Sequence, residues 1–287
     1  MLYALIDYSN KKSIRKIDIE EVLGEVKVAI PKFKEKHSKK VAKKILKMIN
    51  EHKVENIVLS KELSKNNEFC STLKENKKYI ITGRRISKVV LDQLLKDISK
   101  YSKYPKEKMN VLLLMNEYSL ENIDLIEVIS KEVRQLHVIS RNYSKYEKCA
   151  NSLFENYGYM VKLYSNEYSG EFNRVNVVLN VDFKEEELQK IVIAKNSVVV
   201  SLNERINKVK RGFNGIIIND IDVAGFDENL KNYRGLAICE AKVYKPLRNI
   251  IDNERIFNQE KYIINGYTGL KGKITEEEFE KMGKNFT

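Results

Sequence analysis

A chain of 287 residues is long enough for two domains of ordinary size, each with its own core. With 43% hydrophobic and 32% charged residues it has the composition of a folded globular protein rather than a disordered one. No apolar run approaches the roughly 20 residues a bilayer span needs, and the opening MLYALIDYSNKK turns polar too early for a signal peptide, so no membrane role and a cytoplasmic location are expected. Cys70, Cys149 and Cys239 lie far apart with no CxxC pair, which points away from a disulfide framework and a zinc site and toward free thiols.

The net charge is +12. Phosphate backbones attract such chains, so a nucleic-acid partner has to be weighed. Of the 52 basic residues, 41 are lysine and only 11 arginine, the side chain best shaped to fork a phosphate. Many lysines together with no Trp and three Pro resemble the product of an AT-rich genome, and lysines spread over helices read as solvating charge. The dense run is KFKEKHSKKVAKK, 32–44, at the start of an expected helix; a nucleic-acid role for it is allowed by charge but not favoured over a solvated face.

Along the chain, LYALID (2–7) and VKVAI (26–30) read as strands, the second closed by Pro31, which cannot donate to a ladder. VAKKILKMI (41–49) places Val41, Ile45, Leu46 and Ile49 at helical spacing. ENIVLS (55–60) is a strand, 61–76 a weak helix, KYIITG (78–83) a strand, and ISKVVLDQLLKDI (86–98) an amphipathic helix. The polar stretch 99–109, with Pro105, is the expected domain boundary. Beyond it come strand 111–115, helix 119–132, strand 136–140, helix 143–156 stopped at Gly158, and strand 160–164, a βαβαβ unit. Strands 175–181, 197–202 and 215–219 follow, with a helix at 184–191. Continuous Val/Ile/Leu runs predict a parallel sheet covered by helices on both faces. TEEEFEKM (275–282) reads as a helix capped by Thr275.

LHVISRNYSKYEKCANSLFENYG, 136–158, followed by RVNVVLNVD and NSVVVSLN, resembles the NAD(P)-binding domain of the shikimate dehydrogenase and glutamyl-tRNA reductase group over about 110 residues. The resemblance implies that Arg141, in the SRN turn, stands where that group's arginine contacts the adenosine 2′-phosphate of NADP; a guanidinium holds a phosphate through parallel hydrogen bonds. A dinucleotide site also needs glycines after its first strand, for the tight turn and for close approach of N–H groups to the pyrophosphate. The turn here is MNEYSLENI. Met115 to Tyr118 are expected to fill the phosphate space with side chains and Glu117 to bring a repelling carboxylate, while Ser119 or Asn116 caps the helix in the phosphate's stead. The group's catalytic lysine segment is matched only faintly by KVAIPKFK (27–34), so Lys34 or Lys36 as a base reads better as a surface lysine, and no Asn-Thr-Asp occurs. The resemblance implies a fold and no activity.

A different chemistry can be assembled from GIIINDIDVAGFDENLKNYRGLAICEAKVYK (215–245). Asp220 or Asp222 with Glu240 and Lys242 imitates a metal-dependent nuclease, with two carboxylates for Mg²⁺ and a lysine beside the attacking hydroxide. ICEAKVY reads equally as a helix. His37, His52 and His137 suggest ordinary satisfied histidines, and the glycines of INGYTGLKG (264–272) a plain turn. The expected architecture is therefore an α/β chain: a smaller N-terminal α/β domain (1–103), a Rossmann-like doubly wound, mostly parallel domain (104–225), and a tail (226–287) packing on them. Ligands of such sheets bind at the carboxyl ends of the strands, which selects Asn116, Arg141, Asn180 and Asn203 and no metal site. The function expected is a non-catalytic regulatory or interaction relative of NAD(P)-binding domains, acting on a protein partner or small molecule and needing no cofactor. An oxidoreductase using NADP(H) through an unusual loop is the alternative.

Overall fold

The computed structural model describes residues 3–8, 17–22, 25–202, 205–208, 210–223, 230, 232–243 and 263–286. By its contacts the chain divides into two compact units, one of residues 1–86 with 225–261 and one of residues 87–224 with 262–287.

In the first unit, β1 (Tyr3–Tyr8), β3 (Glu25–Ile30), β4 (Asn56–Leu59) and β5 (Tyr79–Ile80) run parallel in the order β3-β1-β4-β5, and β2 (Asp18–Val22) pairs antiparallel outside β3. Strand β2 has no counterpart among the expected strands: IDIEEV carries alternating charge and half-buried Ile17 and Ile19, the pattern of an edge with one wet face. Central β1 buries both faces. Ala4 and Ile6 pack with Val26, Val28, Ile57 and Leu59 under α1 (Ser38–Glu51) and α2 (Asn67–Glu75), whereas Tyr3, Leu5 and Val58 face the other way. Helix α1 contributes Ala42, Ile45, Leu46 and Ile49, and α2 is capped by Asn66, whose side chain accepts the Phe69 N–H at 3.0 Å.

Helix α3 (Arg84–Ser102) leads into the second unit. There β6 (Asn110–Leu114), α4 (Leu120–Ser130), β7 (Gln135–Ser140), α5 (Glu147–Tyr157), β8 (Val161–Ser165), β9 (Glu171–Phe172), β10 (Val177–Asn180), α6 (Glu185–Leu188), β11 (Val192–Ile193), β12 (Val198–Ser201), β13 (Ile216–Ile218) and β14 (Asp220–Val223) follow. The main sheet is wholly parallel, in the order β8-β7-β6-β10-β12-β13. Numbered by their place in this sheet, its strands read 3-2-1-4-5-6, the order of a doubly wound dinucleotide-binding fold, with the reversal between β6 and β10. Strands β10 and β12 are buried throughout, as layers on both faces require. On one face Leu112, Leu114, Val178, Val199 and Ile217 pack with Phe172, Phe183 and Leu188. Gly158 ends α5 at φ +72°, the left-handed turn expected of it.

Helix α7 (Gly235–Val243) returns to the first unit, where Ala237, Ile238 and Ala241 cover Tyr3, Leu5 and Val58. Gly83 permits this approach. Its φ is +84°, and a Cβ there would lie 2.6 Å from Leu236 Cβ and 2.7 Å from the Ala237 nitrogen. In the second unit β15 (Ile264–Thr268) pairs antiparallel with β14 and with β16 (Lys273–Ile274), so the glycines of 264–272 form a strand and its turn. Thr275 then caps α8 (Glu276–Gly283) in a box with Glu278, as expected. The chain thus carries a Rossmann-like doubly wound unit together with a smaller α/β unit. Among the described residues no helix is long and apolar enough to cross a membrane.

Candidate functional site

Reversal of strand order between β6 and β10 opens the sheet where their carboxyl ends part, and the turn after β6 lies there. Met115 still belongs to the sheet: it is fully buried and its N–H donates to Ile139 O at 3.0 Å. The next two residues expose a pair of N–H groups, the pair a ligand phosphate needs. Here both are taken by Asp182. Its Oδ1 accepts Asn116 N–H at 2.5 Å and its Oδ2 accepts Glu117 N–H at 2.9 Å, a bidentate grip by one carboxylate. The carbonyls of the same two residues are also occupied. Asn142 Nδ2 donates to Asn116 O at 2.7 Å, and Asn122 Nδ2 and the Tyr146 hydroxyl donate to Glu117 O at 2.5 and 2.8 Å. Ser119 Oγ accepts Asn122 N–H at 3.2 Å and caps α4, as the sequence suggests.

This corrects the expected cause of closure. Glu117 has an exposed side chain, and the carboxylate on the turn is Asp182, reaching across from the end of β10. Met115 points into the core and Tyr118 lies on the surface, its ring tilted against Tyr146 with centroids 5.2 Å apart and with Lys145 over its face. No residue from 115 to 119 has positive φ, so the turn has no conformational need for glycine.

Asn180 delivers Asp182 to its place. Its Oδ1 accepts Phe183 N–H at 2.9 Å and its Nδ2 donates to Phe183 O at 3.0 Å, so the amide closes the 180–183 turn on itself. Burial makes that tie strong, since both groups are shielded from competing water. Arg141 and Asn116 are brought together by a second carboxylate, Glu187. Arg141 Nη2 donates to Glu187 Oε1 at 2.6 Å, Asn116 Nδ2 to the same oxygen at 3.1 Å, and Lys184 N–H to Oε2 at 2.9 Å. Burial alone would raise the Glu187 carboxyl, but the Lys184 N–H and the Arg141 guanidinium outweigh it and hold the group below its ordinary range. Asn116 Oδ1 is a buried acceptor without a donor among the described residues. Asn203 lies outside the described residues.

Asp182, Glu187, Asn142 and Tyr146 were absent from the expected site. One visible signal was the acid ending a buried strand in NVVLNVD, followed by KEEE; nothing local in the sequence says which turn they serve. The expected nuclease residues are distributed differently from that pattern. Asp220 and Asp222 stand on β14 of the second unit, Glu240 and Lys242 on α7 of the first. A Glu-x-Lys pair shares one face only on a strand; on a helix the two point about 200° apart, and Glu240 is buried while Lys242 is exposed. Among the described residues no three His, Cys, Asp or Glu side chains are grouped to hold a metal ion. His137 is a half-buried strand histidine whose Nδ1 lies 3.0 Å from the Tyr164 hydroxyl; burial and then Lys162 push its pKa down to about 4.

No family model and no curated protein matches the chain. Among solved structures, similarity is found to the quinate dehydrogenase of Corynebacterium glutamicum in complex with NAD, at 11% identity and a TM-score of 0.36 over 98% of each chain. The L-tryptophan dehydrogenase of Nostoc punctiforme matches at 11% identity and a TM-score of 0.35, over 92% of this chain and 76% of that one. The ligand-free 5-ketofructose reductase of Gluconobacter sp. strain CHM43 matches at 10% identity and a TM-score of 0.34, over 100% and 99%. With these TM-scores below 0.5, the Rossmann-like assignment rests on the strand order of the sheet itself.

Proposed function

We propose that the second unit is a Rossmann-like domain that uses no dinucleotide, and that the protein acts by binding rather than by redox catalysis. The observation that carries this reading is the bidentate hold of Asp182 on the N–H groups of Asn116 and Glu117. A pyrophosphate needs those donors, and its oxygens would have to enter the space the carboxylate fills. Two like charges 4 Å apart near a protein surface repel by about 4 kcal/mol, so a phosphate cannot simply join Asp182 there. Engagement of Arg141 by Glu187 supports the same reading, because the cation that could meet a 2′-phosphate already faces an anion. The residues at this turn do not fit the cofactor the fold ordinarily carries.

Thermal unfolding with NAD(H) and NADP(H) at millimolar concentration tests the proposal. A dinucleotide at 100 times its Kd would stabilise its domain by about 2.7 kcal/mol. The expected result is no change in Tm with any of them. A rise of several degrees with NADPH that disappears in Arg141→Ala overturns the proposal in favour of an NADP(H)-dependent oxidoreductase.

A further inference from the structure

The chain's charge is not shared between its units. The first unit contains 28 basic and 17 acidic residues, a net +11, and the second 24 and 23, a net +1. A genome-wide preference for lysine codons raises lysine everywhere, so it does not account for a difference of ten charges between two parts of one chain. Helix α1 carries five lysines against one glutamate, Glu51 at its last residue, a net +4 of that +11. Between Ser38 and Asn50 this helix has no acidic residue, and Lys39, Lys40, Lys43, Lys44 and Lys47 are all exposed, with exposed Lys36 on the turn before it. At 100° per residue, Lys40, Lys43, Lys44 and Lys47 fall within roughly 100° of arc, opposite the buried Ala42, Ile45, Leu46 and Ile49.

None of Lys36, Lys40, Lys43, Lys44 and Lys47 pairs with a carboxylate among the described residues. Lysines three and four positions apart repel one another and destabilise a helix. A surface serving only solubility would relieve that repulsion with interspersed acids, as α3 does where Lys96 pairs with Asp92.

From this we infer that the solvent face of α1 is a docking surface for the phosphate backbone of nucleic acid. The stripe from Lys36 to Lys47 extends about 16 Å, enough to lie along several consecutive phosphates. Nucleic acid is favoured over a lipid surface because a membrane-lying helix inserts its apolar face among acyl chains, and the apolar face of α1 is already spent on the core of its own unit. Among the described residues no large hydrophobic side chain is exposed on α1. Recognition of this kind is blind to sequence, since lysines meeting phosphates read no base edge. The inference is independent of the reading of the second unit, and either can fail alone.

The test is fluorescence anisotropy of the full chain with a labelled 20-base-pair DNA duplex and a 20-nucleotide RNA, at 50 to 200 mM salt. Five phosphate contacts on a duplex correspond to a slope of about −4.5 in log K against log[salt], or roughly 500-fold weaker binding across that range. The variant Lys40→Gln, Lys43→Gln, Lys44→Gln, Lys47→Gln should lower the slope by about 3.6. A control with the same charge loss in the second unit, Lys131→Gln, Lys148→Gln, Lys281→Gln, Lys284→Gln, should bind like the parent. Circular dichroism and Tm establish that both variants are folded. Absence of binding at 50 mM salt, equal loss in both variants, competition by polyglutamate as effective as by DNA, or binding to phosphatidylglycerol vesicles without binding to nucleic acid overturns the inference.

Discussion

Asp182→Ala removes one side chain and uncovers two backbone donors. Hydrogen bonds to a charged group contribute about 1.5–3 kcal/mol each, and Asp182 is half-buried, which places the two bonds from Asn116 and Glu117 toward the low end, about 3 kcal/mol together. For a unit of this size each kcal/mol moves Tm by about 2–4 °C, so the variant should melt about 6–12 °C below the parent in scanning calorimetry. The second consequence distinguishes an internal anion from a mere brace. Once bared, the two N–H groups on the turn before α4 form an anion site, so millimolar phosphate or NADPH should raise the variant's Tm and leave the parent's unchanged. Asp182→Asn keeps an acceptor with no charge and should fall between the two in stability. A loss below about 1 °C in the alanine variant would refute the claim that Asp182 holds the turn. A normal loss without any gain from anions would show that the turn needs the aspartate for its shape alone.

Other expectations follow from the same contacts. Arg141→Ala should cost less than about 1 kcal/mol in urea unfolding because its side chain is largely exposed, whereas Glu187→Ala, which also strands Asn116 Nδ2 and the Lys184 N–H, should cost more. Glu187 titrates below its ordinary value in the fold, so its stabilisation is complete above the ordinary value of 4.5 and is lost as pH falls through the lower folded value; acid titration of Glu187→Gln should lack that loss. The His137 pKa is about 4 when folded and 6.5 otherwise, so the unfolded chain takes up a proton first and stability should fall from pH 7 to pH 4 by at most about 3 kcal/mol, less by solvent screening of this half-buried ring; His137→Phe should flatten that limb of the Tm against pH profile. Gly83→Ala should destabilise the first unit by about 3 kcal/mol or more, read by circular dichroism in urea, because left-handed φ and the backbone of α7 both oppose a Cβ.

Periodicity made most of the elements legible. Central strands such as VLLL and VVLN are buried on both faces and advertise it as unbroken apolar runs, and caps such as Thr275 and Ser119 are local chemistry that needs no distant partner. Edge pieces were harder: β2, β9 and β11 are short or half wet, so their apolar signal is diluted by charge. The site was half legible for a reason of the same kind. Arg141 could be placed at the end of its strand, but its partner Glu187 is 46 residues away, and Asp182 is 66 residues from Asn116; only the sheet order brings them together. The missing glycines pointed to a turn that needs no phosphate, yet the anion assigned to it, Glu117, was the local one.

Absence of glycine from this turn and presence of Asp182 are therefore best understood as one feature rather than two. The turn that leads from a buried strand into a helix presents unpaired N–H groups in a poorly hydrated place, and these must find an acceptor. A fold that meets the demand with a bound pyrophosphate must keep the backbone bare for a ligand that arrives from outside, which is the reason for glycine. When the acceptor is a side chain delivered by the neighbouring strand, access is no longer required. Met115 can then remain in the core, and Asn116 can carry an amide whose Nδ2 donates to Glu187. Asn116→Gly alone should not create a dinucleotide site while Asp182 remains, because it would give access to donors that are still occupied.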